Sequence, residues 1–198
     1  MMDADPIILA SGSPRRRELL AEAGIAFEVI PAGVEEIDDA PLPPEELTAA
    51  NAQRKARHVA AAHPGRVVLG ADTLVFLEGE PLTKPRDLGE AFQMVRRLAG
   101  RAHQVCTAVA LCLAEPARER LFHAITEVRF KPLTDDEIRA YHRLIDPLDK
   151  AGAYAAQEHG DAIIAGFDGS WTNVVGLPME GLAEELRAFR AAASISHP

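Results

Sequence analysis

PIILASGSPRRRELLAEAG, residues 6–24, is the stretch on which the fold turns. Ile7 to Ala10 is a short apolar run bounded by Pro6 and by Ser11, Gly12 and Ser13, which predicts a buried strand entering a turn. A helix is expected immediately after it. Ser13 is a good N-cap, Pro14 suits the first helical position, and Leu19, Leu20 and Ala23 give an apolar face before Gly24 ends it. The turn also favours anions, because free backbone N–H groups, the positive end of a helix dipole and the guanidinium groups of Arg15 and Arg16 converge there. Cations oppose the dipole at a helix N-terminus, so their presence points to a purpose other than helix stability. The plain alternative is a solvated basic turn. A Walker loop is excluded, since no Gly-Lys-Ser/Thr follows.

Outward from this unit, Phe27 to Ile30 reads as a second strand and Pro44 to Ala62 as an alanine-rich helix stopped by Pro64 and Gly65. That helix carries Ala52, Ala56, Val59 and Ala60 on one face and Thr48, Asn51, Lys55 and His58 on another. Val67 to Leu77 reads as a long strand or hairpin arm whose centre is broken by the polar pair Asp72 and Thr73. A helix at Leu88 to Leu98 is closed by Gly100, and the β-rich runs Gln104 to Leu113 and Leu121 to Phe130 suggest an antiparallel pair. Thr134 and Glu137 form a capping box for a helix with Ile138, Tyr141 and Ile145 on its apolar side, ended by Pro147. A strand at Ala162 to Phe167 and a last helix with Leu182, Leu186 and Phe189 complete the chain. The expectation is an α/β fold with a mixed central sheet and flanking helices.

The 198 residues suit one compact domain spanning 1–198. A composition of 47% hydrophobic and 26% charged residues excludes disorder and repeat classes. The formal charge of -9 argues against a nonspecific nucleic-acid binder, although a basic pocket for a small anion remains compatible with it. Cys106 and Cys112 share one strand about 20 Å apart, beyond disulfide reach, and are expected to be reduced core thiols. The opening Met1 to Pro6 has no cationic region or long apolar stretch, and no window resembles a membrane span, so the expectation is a cytoplasmic protein without membrane association.

Chemistry is expected at four places. The turn from Ser11 to Arg16 is the first. Gly70 to Thr73 is the second: a carboxylate inside an apolar strand is costly unless it meets a cation, a metal or hydrogen-bond donors, and a structural Asp satisfied by backbone donors is the alternative. Lys84-Pro85, after a hairpin containing Gly79, and Lys55 offer ammonium groups that are either solvated or phosphate-binding. Asp149 to Gln157 and Gly169 to Pro178 are rich in small residues and amides. Gln157 and Asn173 could read a base edge there, while Tyr154 and Trp171 either stack on it or pack. Zinc-protease and GxSxG signatures are missing from the sequence.

Taken in order, Ser11 to Arg16, Val34 to Glu36, Lys55-Ala56, Gly70 to Thr73, Lys84-Pro85, Ala99 to Val109, Asp149 to Gln157 and Val174 to Pro178 resemble the blocks of the Maf family, also called the septum-formation-inhibitor family, of nucleoside triphosphate pyrophosphatases. The resemblance implies two lobes around a deep cleft, similar to the inosine triphosphate pyrophosphatases, and a homodimer. It implies hydrolysis between the α and β phosphates with a divalent cation, Mg²⁺ or Mn²⁺. Arg15, Thr73 and Gln157 match the subgroup that resembles dTTP/UTP pyrophosphatases, with CTP or modified pyrimidines as further candidate substrates. On this resemblance Asp72 is the expected general base, and Glu36 and Asp72 the expected metal ligands. Ser11, Ser13, Arg15, Arg16, Lys55 and Lys84 are expected to bind the substrate, with Arg15, Thr73 and Gln157 setting base preference. A nucleotide-sensing regulator with little turnover is the alternative. Thr83, Ala99 and Glu158 replace the family's frequent Gly, Ser and Gly; the last change lies beside Gln157 and bears on base selectivity.

Overall fold

The structure, a computed structural model, describes residues 5–37, 40 and 42–194. The opening Met1 to Ala4, read above as lacking a leader, lies outside the described residues. β1 (Ile7–Leu9) hands over to α1 (Pro14–Glu22) as expected, with Pro14 in the first turn. Ser13 occupies the N-cap position in extended backbone, but its side chain makes no capping bond. Leu20 is fully buried, worth about 2 kcal/mol of transfer free energy, whereas Ala23 is exposed and takes no part in the apolar face.

β2 (Phe27–Val29) and β3 (Val68–Leu77) flank β1, both parallel to it. Between them runs α2 (Pro44–Ala62), which begins after Pro43 with Glu45 and Glu46 complementing its dipole. β3 turns through Glu78 and Gly79, both at positive φ, into β4 (Glu80–Leu82). α3 (Leu88–Leu98) follows, capped by the Asp87 carboxylate on the amide of Glu90. β5 (Ala102–Leu113) and β6 (Arg118–Phe130) form the expected antiparallel pair. Both start earlier than the apolar pattern suggested, because ladder pairing carries on through the polar run Arg118 to Arg120. α4 (Asp135–His142) has the full Thr134/Glu137 capping box but stops before Ile145, which packs on the core from the following loop. β7 (Ile164–Asp168) begins after a short 3₁₀ turn and is followed by α5 (Trp171–Val175) and α6 (Met179–Ser194).

The seven strands make one mixed sheet in the order β2-β1-β3-β5-β6-β7, with β4 attached to β3. Helices cover it on both faces, which confirms the expected α/β class with flanking helices. Side chains alternate along β3. Val68, Leu74 and Phe76 join the clusters under α2, while Leu69 and Ala71 pack with α1 and α6, and Val75 and Leu77 pack with α3 and α4. Thr73 therefore falls between two apolar clusters on one face, and Asp72 faces α2 on the other. The two cysteines are free and buried, as expected. Among the described residues no helix is long and apolar enough to cross a membrane.

One contact sets the distance between α2 and the sheet. A Cβ on Gly70 would lie 2.4 Å from the Ala52 carbonyl oxygen and 2.7 Å from the Ala56 nitrogen, so only glycine admits the helix this close. In consequence the polar face of α2 is buried too. Thr48, Asn51 and Lys55 turn inward with the alanines, and His58 alone of the four remains exposed. The expectation of separate apolar and polar faces fails here because the helix lies across the sheet and contacts both β3 and β5.

Candidate active site

β3 has an unbroken partner on one side only. β5 pairs with it from Val68 to Phe76, but on the other edge β1 reaches only Leu69 and β4 begins at Val75. Among the described pairings Gly70 to Leu74 have an open edge there. A pocket of about 430 Å³ lies against Asp72 to Val75, within the size range of small-molecule sites. Its walls are the Ala10–Arg16 turn, Pro31 to Val34 and Glu36, Lys55, Thr83-Lys84, Asp149 to Ala151, Tyr154 to Gln157, and Val174 to Gly176. Every expected site residue, Ser11, Ser13, Arg15, Arg16, Glu36, Lys55, Asp72, Thr73, Lys84 and Gln157, lines this one pocket.

At its acidic centre Lys55 bridges two carboxylates, with Nζ 2.5 Å from Glu36 Oε1 and 2.7 Å from Asp72 Oδ1. Lys84 donates to the other Glu36 oxygen at 3.3 Å. Asp72 is 4% exposed and Lys55 8%, so each buried charge has the partner that burial demands. Burial pushes the Glu36 carboxyl up, yet the ammonium groups of Lys55 and Lys84 outweigh it and hold the group below the usual carboxylate range. With Arg15, Arg16 and Lys150 also in the lining, five cations share the pocket with the carboxylates of Glu36, Asp72 and Asp149. This concentration of positive charge contrasts with the protein's net charge of -9.

Arg16 is placed differently from Arg15. Its guanidinium is buried, donating from Nε to the Gly176 carbonyl at 2.9 Å, from Nη1 to Ser11 Oγ at 3.0 Å and from Nη2 to Thr73 Oγ1 at 3.0 Å. Desolvation lowers its pKa from the ordinary arginine value, opposed by the charge of Asp72. It braces the turn, β3 and the segment after α5, while the half-buried Arg15 remains at the pocket wall. Thr73 Oγ1 is likewise held inside, 2.9 Å from Thr107 Oγ1. Gln157 is exposed, and its Nε2 donates to Glu158 Oε1 at 3.2 Å.

Asn173 does not line the pocket, contrary to its reading as a base-edge contact. It is fully buried, donating to the Val105 carbonyl and to Thr126 Oγ1, and so ties α5 to the sheet. Trp171 packs on Phe167 outside the pocket, and Tyr154 packs edge-on against Phe130 and His103. Two residues of the site were given no role by the sequence reading. Asn51 accepts from the Ile37 amide at 2.7 Å, donates to the Ile37 carbonyl at 3.0 Å and reaches Asp72 Oδ2 at 3.2 Å, which joins the Glu36 loop to β3. The signal was its position four residues before Lys55 on one helical face. Lys150, buried in the pocket wall, donates to Asp149 and to the Asp146 carbonyl.

Among the described residues no group of three or more His, Cys, Asp or Glu side chains forms a metal cage. Glu36 and Asp72 are instead two hard oxygen donors brought together at Lys55, and they are the residues here that would suit a divalent cation.

The chain matches the family described as Maf-like protein over residues 6–189. It is 52% identical to a dTTP/UTP pyrophosphatase of Akkermansia muciniphila over 93% of this chain and 96% of that one. Identity is 45% to the dTTP/UTP pyrophosphatase of Pelotomaculum thermopropionicum (92% and 96% covered) and 45% to that of Escherichia coli (93% and 93% covered). With the motifs gathered around one pocket and the match running nearly end to end, the chain belongs to the Maf family.

Proposed function

We propose that this protein is a nucleoside triphosphate pyrophosphatase that converts dTTP and UTP to their monophosphates and pyrophosphate. The observation that carries the reading is the Glu36–Lys55–Asp72 cluster at the open edge of β3, facing the basic turn of Arg15. The names of the relatives support the reaction and favour turnover over a nucleotide sensor.

Asp72 acts as the base. Its carboxylate has about four lone-pair sites, of which Lys55 and Asn51 engage two, leaving room for a water proton. As the water oxygen bonds to the α-phosphorus, its proton passes to Asp72, and the bond from that phosphorus to the bridging oxygen breaks to release pyrophosphate. Arg15, Lys55, Lys84 and the Ser11–Ser13 turn hold phosphate oxygens, contacts most valuable where they strengthen in the transition state. Glu36 and Asp72 would hold Mg²⁺ or Mn²⁺, which neutralises phosphate charge and acidifies bound water. Thr73, held by Arg16, shapes the pocket wall, and Gln157 with Arg15 favours the pyrimidine. The two-lobed cleft, homodimer and cytoplasmic setting implied by the family belong to the same proposal.

The test is incubation with dTTP, UTP, CTP, GTP, ATP and 7-methyl-GTP plus Mg²⁺ or Mn²⁺, with all phosphate products separated. Monophosphate and pyrophosphate from dTTP and UTP are expected. Orthophosphate as the first product, or binding without turnover, would overturn the reading.

A further inference from the structure

One wall of the pocket is formed from the segment Asp149 to Gln157, which contains only a short 3₁₀ turn at Ala151–Ala153. Such a segment would ordinarily be mobile. Here three rings behind it grip three successive residues. His142 Nε2 donates to the Ala153 carbonyl at 3.1 Å, and His103 Nε2 lies 2.9 Å from the Tyr154 hydroxyl. The Tyr141 hydroxyl donates to the Ala155 carbonyl at 2.9 Å and accepts from the Ala155 amide at 3.0 Å. The backbone they hold is unusual. Gly152 and Ala153 both adopt left-handed conformations, φ 69° and 60°, which a residue with a Cβ enters only when its surroundings impose it. A Cβ on Gly152 would press on the Val75 side chain at 3.0 Å, so the segment is seated directly on β3.

The geometry points to Tyr141 as a positioning residue for base selection. This rests on the pyrophosphatase reading. The hydroxyl uses both polar groups of Ala155 from the rear, so that Ala155 and Ala156 turn into a pocket wall of fixed depth, with Gln157 delivered at its end. Tyr141 is 2% exposed and does not line the pocket; it acts through the segment alone. A wall held in place favours a base that fits, and a loosened wall admits others.

The experiment compares wild type with Tyr141→Phe, which removes both hydrogen bonds and keeps the ring. Phe189→Leu on α6 serves as a remote control for lost stability. The expected result for Tyr141→Phe is a KM for dTTP and UTP raised about tenfold with kcat within about threefold, and a preference over CTP reduced by a similar factor. Amide exchange across residues 151–157 should quicken. Phe189→Leu should change neither the KM nor the preference. His142→Ala, which removes a less buried grip, should shift KM the same way by about threefold, and it decides the matter if Tyr141→Phe does not fold. Unchanged KM, nucleotide preference and exchange in these variants would overturn the inference. Wild type without turnover would sink the pyrophosphatase reading instead, and exchange would still report on the clamp.

Discussion

In the proposed reaction Asp72 is the residue on which the chemistry depends. Replacing it with Asn preserves the shape and leaves one oxygen to accept from either Asn51 or Lys55, but removes the proton acceptor, so turnover should fall about 10³-fold or more while the circular dichroism spectrum is unchanged. Activity within tenfold of wild type, measured by pyrophosphate release, would dismiss Asp72 as the base. Asn51 tests how the two carboxylates are held. Asn51→Leu keeps the volume but leaves the Ile37 amide and carbonyl without the partners they have now, which should cost about 2 kcal/mol in urea unfolding. Because the Glu36 loop then keeps only the Lys55 ion pair to α2, kcat should drop about tenfold as well. Stability loss with kcat intact would show that the amide braces the fold alone.

At the scale of elements, the decisive contact is α2 on β3. Gly70→Ala would force a methyl against the Ala52 carbonyl and the Ala56 amide, both backbone groups that cannot rotate away. The helix must shift, and the expected cost is about 1–3 kcal/mol, read as a lower melting temperature. Lys55 rides on the same helix, so its bridge between Glu36 and Asp72 loosens and activity should fall with it. A variant that melts lower but turns over normally would separate helix seating from the site. α1 behaves as a second support: the buried Arg16 ties its first turn to Ser11, Thr73 and Gly176, and this explains why a helix N-terminus without acidic residues tolerates the positive charge.

For the whole molecule, pH dependence follows from His103. Burial pulls its imidazole down from 6.5 to about 4, so the folded protein keeps it neutral where the unfolded chain is already protonated. Between those values the unfolded state binds more protons, and stability must fall as pH drops, by about 3 kcal/mol in total from this group. His142, also lowered by burial, adds in the same direction. Urea unfolding at pH 7 and pH 5 should show the loss, and His103→Gln should shrink it while keeping a polar contact for Tyr154. An equal loss in that variant would assign the acid sensitivity elsewhere.

Much of this protein was legible in the order of its residues. The strand–turn–helix at Ile7 to Glu22, the polar break at Asp72 and the capping box at Thr134 all act locally, through side-chain period, caps and dihedral preference, so their signals lie within a few residues. The family blocks likewise named the pocket lining. What only the tertiary structure decided is how those groups divide the work. Arg15 and Arg16 are adjacent, chemically identical and both at the pocket, yet Arg16 is a buried strut and Arg15 stays half-buried, because Gly176 and Thr73 arrive from 160 and 57 residues away to receive the strut. Asn173 looked like a base reader and became a sheet anchor for the same reason. Asn51 and Tyr141 gained their roles from partners on other elements. Hydrogen-bond partners and desolvation depend on distances across the fold, and the spacing of residues along one segment carries no record of them.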